Sequence, residues 1–192
     1  MASLSLAGTA IKELPSSIGC LSQLRKLDLG HCKSLMHLPR NLSCLGHLTD
    51  LYIGDCIQLR SLPKLPPFVQ LVKAQNCLSL EVSPVVDHWL NPNVVKPCSS
   101  YGIVSFERCS SMKEFSLILG CTTYLDLSYT AIKELHSSLG CLSQLTYLIL
   151  DNCESLIHLP SNLADLIRLS LLCINGCAQL RYLPRLPLSL KA

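Results

Sequence analysis

The chain repeats itself. From Leu24 it reads LRKLDLGHCKSLMHLPRNLSCLGH, from Leu48 LTDLYIGDCIQLRSLPKLPPFVQ, and from Leu71 it begins again as LVKAQNCLSL. The common frame is LxxLxLxxCxxLxxLPxxLxxLxx, with a period of about 23–24 residues. A fixed short period constrains the fold more than composition does, because each unit can bury its apolar side only against its neighbours. The opening residues fit one step earlier through Leu4, Leu6, Thr9, Ile11, Leu14 and Pro15. After an interruption the frame resumes with a degenerate unit, Val104 to Phe115, followed by Tyr124 to Gln144, Leu145 to Arg168 and Leu169 to Leu190. The last three copy the first three: Leu6 matches Leu127, Cys32 matches Cys153, and Pro63 matches Pro184. Polar positions are shared as well as leucines, which marks an internal duplication.

In LxL, alternate side chains of a short strand point to one side and the residues between them to the other. Neighbouring strands stack in parallel, about 4.8 Å apart, and the LPxxLxxL half returns the chain across the opposite side. Apolar residues make up 49% of the chain but aromatics only 5%, so the apolar mass is mostly leucine, as a repeated packing environment requires. The expected fold is an α/β repeat, a leucine-rich-repeat solenoid. Its short parallel strands line the concave face, and its return segments are irregular, 3-10 or briefly helical. Three regions are expected: a first array over 1–80, an irregular Pro-containing insertion or linker over 81–103, and a second array over 104–192. Pro84, Pro92 and Pro97 interrupt the frame in the middle region, and Trp89 is read there as an anchor holding the loop down.

The stretch His31 to Cys56 holds three cysteines and three histidines, which raises the question of zinc. The frame answers it. Cys32, Cys56, Cys77, Cys109, Cys153 and Cys177 all fall at the position that ends the strand turn, with Thr9 and Thr130 in the remaining units. Small inward side chains there bond the turn backbone or fill a tight space. In the duplicate, Cys44 becomes Asp165, His47 becomes Arg168 and His31 becomes Asn152, so the set does not recur. No metal ligand and no cofactor is assigned, and the twelve cysteines are read as free thiols of a reducing compartment. Cys20 and Cys141, in the matching GCLSQL segments, are read as small buried fillers.

Net charge is +3, with no basic run beside an aromatic platform, so no nucleic-acid partner is expected. No stretch approaches the roughly 20 apolar residues that span a bilayer, so no membrane partner is expected. The opening MASLSLAGTAIKEL matches an internal segment and is read as folded chain, not a leader. No GxSxG or paired-acid constellation appears, so an enzyme is not expected. The candidate site is instead the protein-binding concave face: Lys26, Asp28, Asp50 and Tyr52 in the first array, and Asp126, Tyr147, Ile149, Asp151, Leu171 and Asn175 in the second. Between copies the frame leucines barely change, while Lys26 becomes Tyr147, Asp28 becomes Ile149, and Asp50 becomes Leu171. The second copy's face is apolar, with Tyr147, Ile149, Leu171 and Cys173 expected side by side.

The wording of the units carries a resemblance. LAGTAIKELPSSIGCLSQLRKLDLGHCKSLMHLP, the TAIKEL phrases at Thr9 and Thr130, the terminal SLPKLP and YLPRLP, and LVKAQNCLSLEV resemble the leucine-rich-repeat region of plant intracellular immune receptors. Within these, the match is to the class with a TIR and a nucleotide-binding domain ahead of the repeats. There is no GxxxxGK[ST] phosphate loop and no TIR-like segment here, so the receptors' nucleotide switch is not carried over. The resemblance implies a cytoplasmic or nucleocytoplasmic module of innate immunity. Its partner would be a pathogen-derived protein or another domain of a receptor. Two alternatives stand beside it: a truncated receptor fragment without activity of its own, and a general intracellular signalling scaffold. Uncapped ends, LPLSLKA among them, would favour self-association.

Overall fold

A computed structural model describes residues 2–81, 102–115 and 122–190. The expected insertion, with Trp89 and its prolines, lies almost wholly outside the described residues. Eight strands form one parallel sheet in chain order: β1 (Ala2–Ser5), β2 (Leu24–Asp28), β3 (Asp50–Tyr52), β4 (Leu71–Lys73), β5 (Gly102–Ser105), β6 (Thr122–Asp126), β7 (Tyr147–Ile149) and β8 (Leu171–Cys173). The sheet runs through the duplication seam: Leu71, Val72 and Lys73 of β4 pair with Ile103, Val104 and Ser105 of β5. A strand of three to five residues cannot stand alone. From β2 to β7 each exists because its apolar side chains are covered from both sides by the rungs before and after it, while Leu4 of β1 and Leu172 of β8 are only partly buried.

The core is a set of columns. Leu27, Leu51, Val72, Leu125 and Leu148 are fully buried, and so are Leu35, Leu59, Met112 and Leu156 on the inner side of the turn. Each such leucine contributes roughly 1.5–3 kcal/mol once covered. The degenerate unit keeps its place by exchange of volume. Ala74 of one rung is followed by Phe106 of the next in the same column, both fully buried, and Phe106 packs edge-on against Phe115 with ring centroids 6.0 Å apart.

Return segments with regular structure are 3-10 turns at Ser16–Cys20, Arg40–Cys44, Ser137–Cys141 and Ser161–Asp165, and no α-helix occurs among the described residues. Pro15, Pro39 and Pro160 precede three of these turns; their missing N–H is not needed there. His136 replaces proline before the fourth, and its Nδ1 accepts the Ser138 N–H at 3.1 Å. Gly19 and Gly140 are required by close approach: a Cβ on Gly19 would sit 2.9 Å from the Asn41 carbonyl oxygen, and one on Gly140 would overlap the Asn162 amide. Those asparagines tie the turns together, Asn162 Nδ2 donating to the Ser137 carbonyl at 2.7 Å.

Cys20 and Cys141 are not the small buried fillers expected from the sequence: both are exposed, as is Cys44. They close their 3-10 turns on the solvent side, while Ile18 and Leu139, two residues earlier, take the inward position. Small size does not tell which way a turn's last residue points.

Candidate functional site

Ligand-bearing potential on this face comes from residues that alternate with the buried columns. Strand pairing sets them in rows. In the first row Lys26 stands beside Asp50, Asp50 beside Leu71, Leu71 beside Ile103, Ile103 beside Tyr124, Tyr124 beside Tyr147, and Tyr147 beside Leu171. The second row runs Asp28, Tyr52, Lys73, Ser105, Asp126, Ile149 and Cys173. Tyr147, Ile149, Leu171 and Cys173 are therefore neighbours on β7 and β8, as their spacing predicts.

The two halves of the face differ in chemistry. On β2 and β3, polar groups are spent on one another. The Lys26 ammonium lies 4.5 Å from the centre of the Tyr52 ring, and Lys73 approaches the same ring at 6.0 Å. Asp28 accepts the Gly30 N–H at 3.1 Å, and Asp50 accepts the Thr49 hydroxyl at 2.9 Å. The carboxylates of β6 and of the turn after β7 are also engaged. Asp126 accepts the Ser128 N–H and hydroxyl at 3.0 and 2.7 Å and the Tyr124 hydroxyl at 3.3 Å; Asp151 accepts both the backbone and side-chain N–H of Asn175 at 2.8 and 2.9 Å.

From β4 to β8 the first row is apolar without a break: Leu71, Ile103, Tyr124, Tyr147 and Leu171. Ile103, Tyr147 and Leu171 are 39%, 43% and 42% exposed, which is high for large apolar side chains on a sheet. The Tyr124 and Tyr147 rings are tilted against each other with centroids 6.2 Å apart. Between this row and the strand ends lies a depression of about 540 Å³, whose walls include Lys73, Ile103, Glu107, Tyr124, Asp126 and Tyr147. Its charged walls are Glu107 and Asp126 against Lys73. Burial raises the pKa of the Tyr124 hydroxyl, and Asp126 and Glu107 raise it further. Burial, then Asp151 and Asp126, push up the Cys173 thiol.

Sequence reasoning missed Leu71, Lys73, Ile103 and Tyr124 as face residues. Face positions carry no pattern of their own and are located only by register. Ile103 was the last residue of the expected insertion; pairing with Leu71 places it in β5. The signal available was the frame itself, extended one residue N-terminal of Val104.

Off the concave face, the cysteine column is a hydrogen-bonded ladder. The thiols of Cys32, Cys56, Cys77, Cys109, Cys153 and Cys177 donate to the carbonyls of Leu6, Leu29, Ile53, Ala74, Leu127 and Leu150, one unit earlier, at 3.0–3.1 Å. Thr9 and Thr130 instead donate to Leu6 and Leu127 of their own units at 2.8 Å. Just before each of these eight residues the backbone turns left-handed, at Gly8, His31, Asp55, Asn76, Arg108, Tyr129, Asn152 and Gly176. His31 is thus a turn residue, its Nδ1 3.3 Å from Asp55. Among the described residues no group of three His, Cys, Asp or Glu side chains is placed to hold a metal ion.

No family model matches the chain. Among curated proteins it is 31% identical over 160 residues to Protein SUPPRESSOR OF npr1-1, CONSTITUTIVE 1 of Arabidopsis thaliana; the match covers 83% of this chain and 9% of that protein. Among solved structures, a leucine-rich-repeat protein of Leptospira interrogans superposes with a TM-score of 0.56 at 18% identity, over 88% of this chain and 41% of that one. The leucine-rich-repeat domain of the type III effector XopL matches with a TM-score of 0.48 at 19% identity, over 97% of this chain and 74% of that domain.

Proposed function

Because the chain folds as a leucine-rich-repeat solenoid, we propose that it works as a protein-binding module whose concave face carries the contact. The observation that carries this reading is the unbroken row of apolar side chains on β4 to β8, exposed at Ile103, Tyr147 and Leu171. The carboxylates beside it are held in fixed positions by hydrogen bonds within the chain. Tyr147, Leu171 and Ile149 are its anchors, with Tyr52 at the far end; aromatic and aliphatic groups of this size supply most of the energy in protein contacts. Lys26, Asp28, Asp50, Asp126, Asp151 and Asn175 form the polar surroundings that orient a partner.

The biological setting we infer is plant disease resistance, in the cytoplasm or nucleocytoplasm. The wording of the units supports it, as does likeness to an Arabidopsis protein of which this chain spans about a tenth. The partner would be a pathogen-derived protein or another domain of a receptor. Among the described residues no helix is long and apolar enough to cross a membrane.

Capture from plant extract by the wild-type chain, Tyr147→Ala, Leu171→Ala and the outer-surface control Arg40→Ala tests the reading. A partner lost at least tenfold by the first two, retained by the control, with melting temperatures unchanged, is the expected result. Equal loss in all three, or loss that follows the melting temperature, overturns the site.

A further inference from the structure

We infer that the face from β4 to β8 recognises an amphipathic α-helix with a basic margin, laid across the strands; the inference rests on the concave-face reading above. The row Leu71, Ile103, Tyr124, Tyr147 and Leu171 takes one side chain from each of five consecutive strands. Strands about 4.8 Å apart make this row about 19 Å long. A helix rises about 1.5 Å per residue, so about 13 residues span it. Helical neighbours at i+3 and i+4 advance about 4.5 and 6.0 Å, which brackets the strand spacing, so apolar residues on one face enter the gaps in turn. An extended chain laid the same way repeats every about 6.7 Å and falls out of step within two strands. An extended chain laid along the strands covers one or two rungs and leaves the rest of the row bare.

Charge decides the helix's flank. Toward the strand ends the row is bordered by Glu107, Asp126 and Asp151; Lys73 stands at the β4 end and Arg108 lies 3.6 Å from Glu107, so acidic groups outnumber basic ones by one and the excess lies toward Asp126 and Asp151 on β6 to β8. On the opposite border, Thr123, Thr146 and Ser170 turn their hydroxyls to the carbonyls of Gly102, Gln144 and Thr146 and offer no charge. A helix with lysine or arginine along one side of its apolar stripe matches both borders, whereas an acidic flank is repelled.

Two displayed peptide libraries test this, one locked helical and one barred from helix by interspersed prolines, each selected on the full chain. The expected binders come from the helical library and carry leucine or isoleucine at helical spacing with lysine or arginine on one margin. They bind at least tenfold more weakly to Tyr147→Ala and to Glu107→Lys, and equally well to Arg40→Ala. Binders from the extended library, or helices indifferent to Glu107→Lys, overturn this inference while sensitivity to Tyr147→Ala keeps the concave-face reading. Binders indifferent to Tyr147→Ala, or none from either library, overturn both. Circular dichroism of each variant separates lost contact from lost fold.

Discussion

Cys56 shows how one residue type holds a rung. Its thiol is fully buried and donates to the Leu29 carbonyl at 3.1 Å, so it acts as a hydrogen-bonding filler rather than a reactive group. Thr130 satisfies its hydroxyl differently, donating to Leu127 within its own unit. Cys56→Thr should therefore lose the bond between units but keep its own donor satisfied, and cost less in chemical denaturation than Cys56→Val, which has no donor and should cost about 1–2 kcal/mol. Burial pushes the Cys56 pKa from its ordinary 9.0 up to about 12. The unfolded chain then loses this proton first as pH rises, so its contribution is intact below pH 9 and declines between 9.0 and about 12. Denaturation midpoints under reducing conditions should fall across that window, and Cys56→Thr should fall less steeply than wild type. The column was legible in the sequence because cysteine recurs at a fixed place in the frame. The solvent-facing direction of Cys20 and Cys141 was not, because it depends on where the 3-10 turn ends.

At the level of elements, strands were legible from alternating leucines, and the return segments from LPxxLxxL. What no spacing reveals is how closely consecutive turns approach. The Ser137–Cys141 and Ser161–Asp165 turns meet at Gly140, where the Asn162 amide occupies the space a Cβ would need. Gly140→Ala should force the asparagine away from the Ser137 carbonyl and cost about 1–3 kcal/mol, read as a lower melting temperature. Gly46, where an added Cβ would meet nothing within 4 Å, is the control, and Gly46→Ala should leave the melting temperature unchanged. The candidate site lies on elements whose positions were legible but whose register was not. Tyr147 and Leu171 were found because their units are regular. Ile103 was missed because its unit is degenerate, and Tyr124 because it stands at the first residue of its unit, where the strand's N-terminal extent is not marked by the frame.

For the whole molecule the question is whether the two copies behave as one body. They share one sheet, and Phe106 is the largest side chain buried at their junction, beside the small Ala74. Phe106→Ala would leave two small residues in sequence along that column and should cost about 3–5 kcal/mol. The cost is local, and a solenoid couples only nearest neighbours. Native-state hydrogen exchange should show β1–β4 and β6–β8 opening at one common free energy in the wild type and at two in the variant. A single shared opening in both proteins would mean that coupling does not pass through this residue.

The direction of the cysteine bonds has a consequence for inheritance. Each of these thiols reaches back to the unit before it, so a unit is half of a joint and is completed only by its predecessor. When misaligned copies of such a gene recombine, products that add or drop whole periods keep every donor facing its acceptor. A crossover displaced by a single codon changes the length of one unit and disturbs the joint at that unit alone, because no thiol reaches further than its predecessor. Selection can then act on array length and on the exposed face as separate variables, and the Lys26-to-Tyr147 and Asp50-to-Leu171 replacements between the two copies here are changes of the second kind.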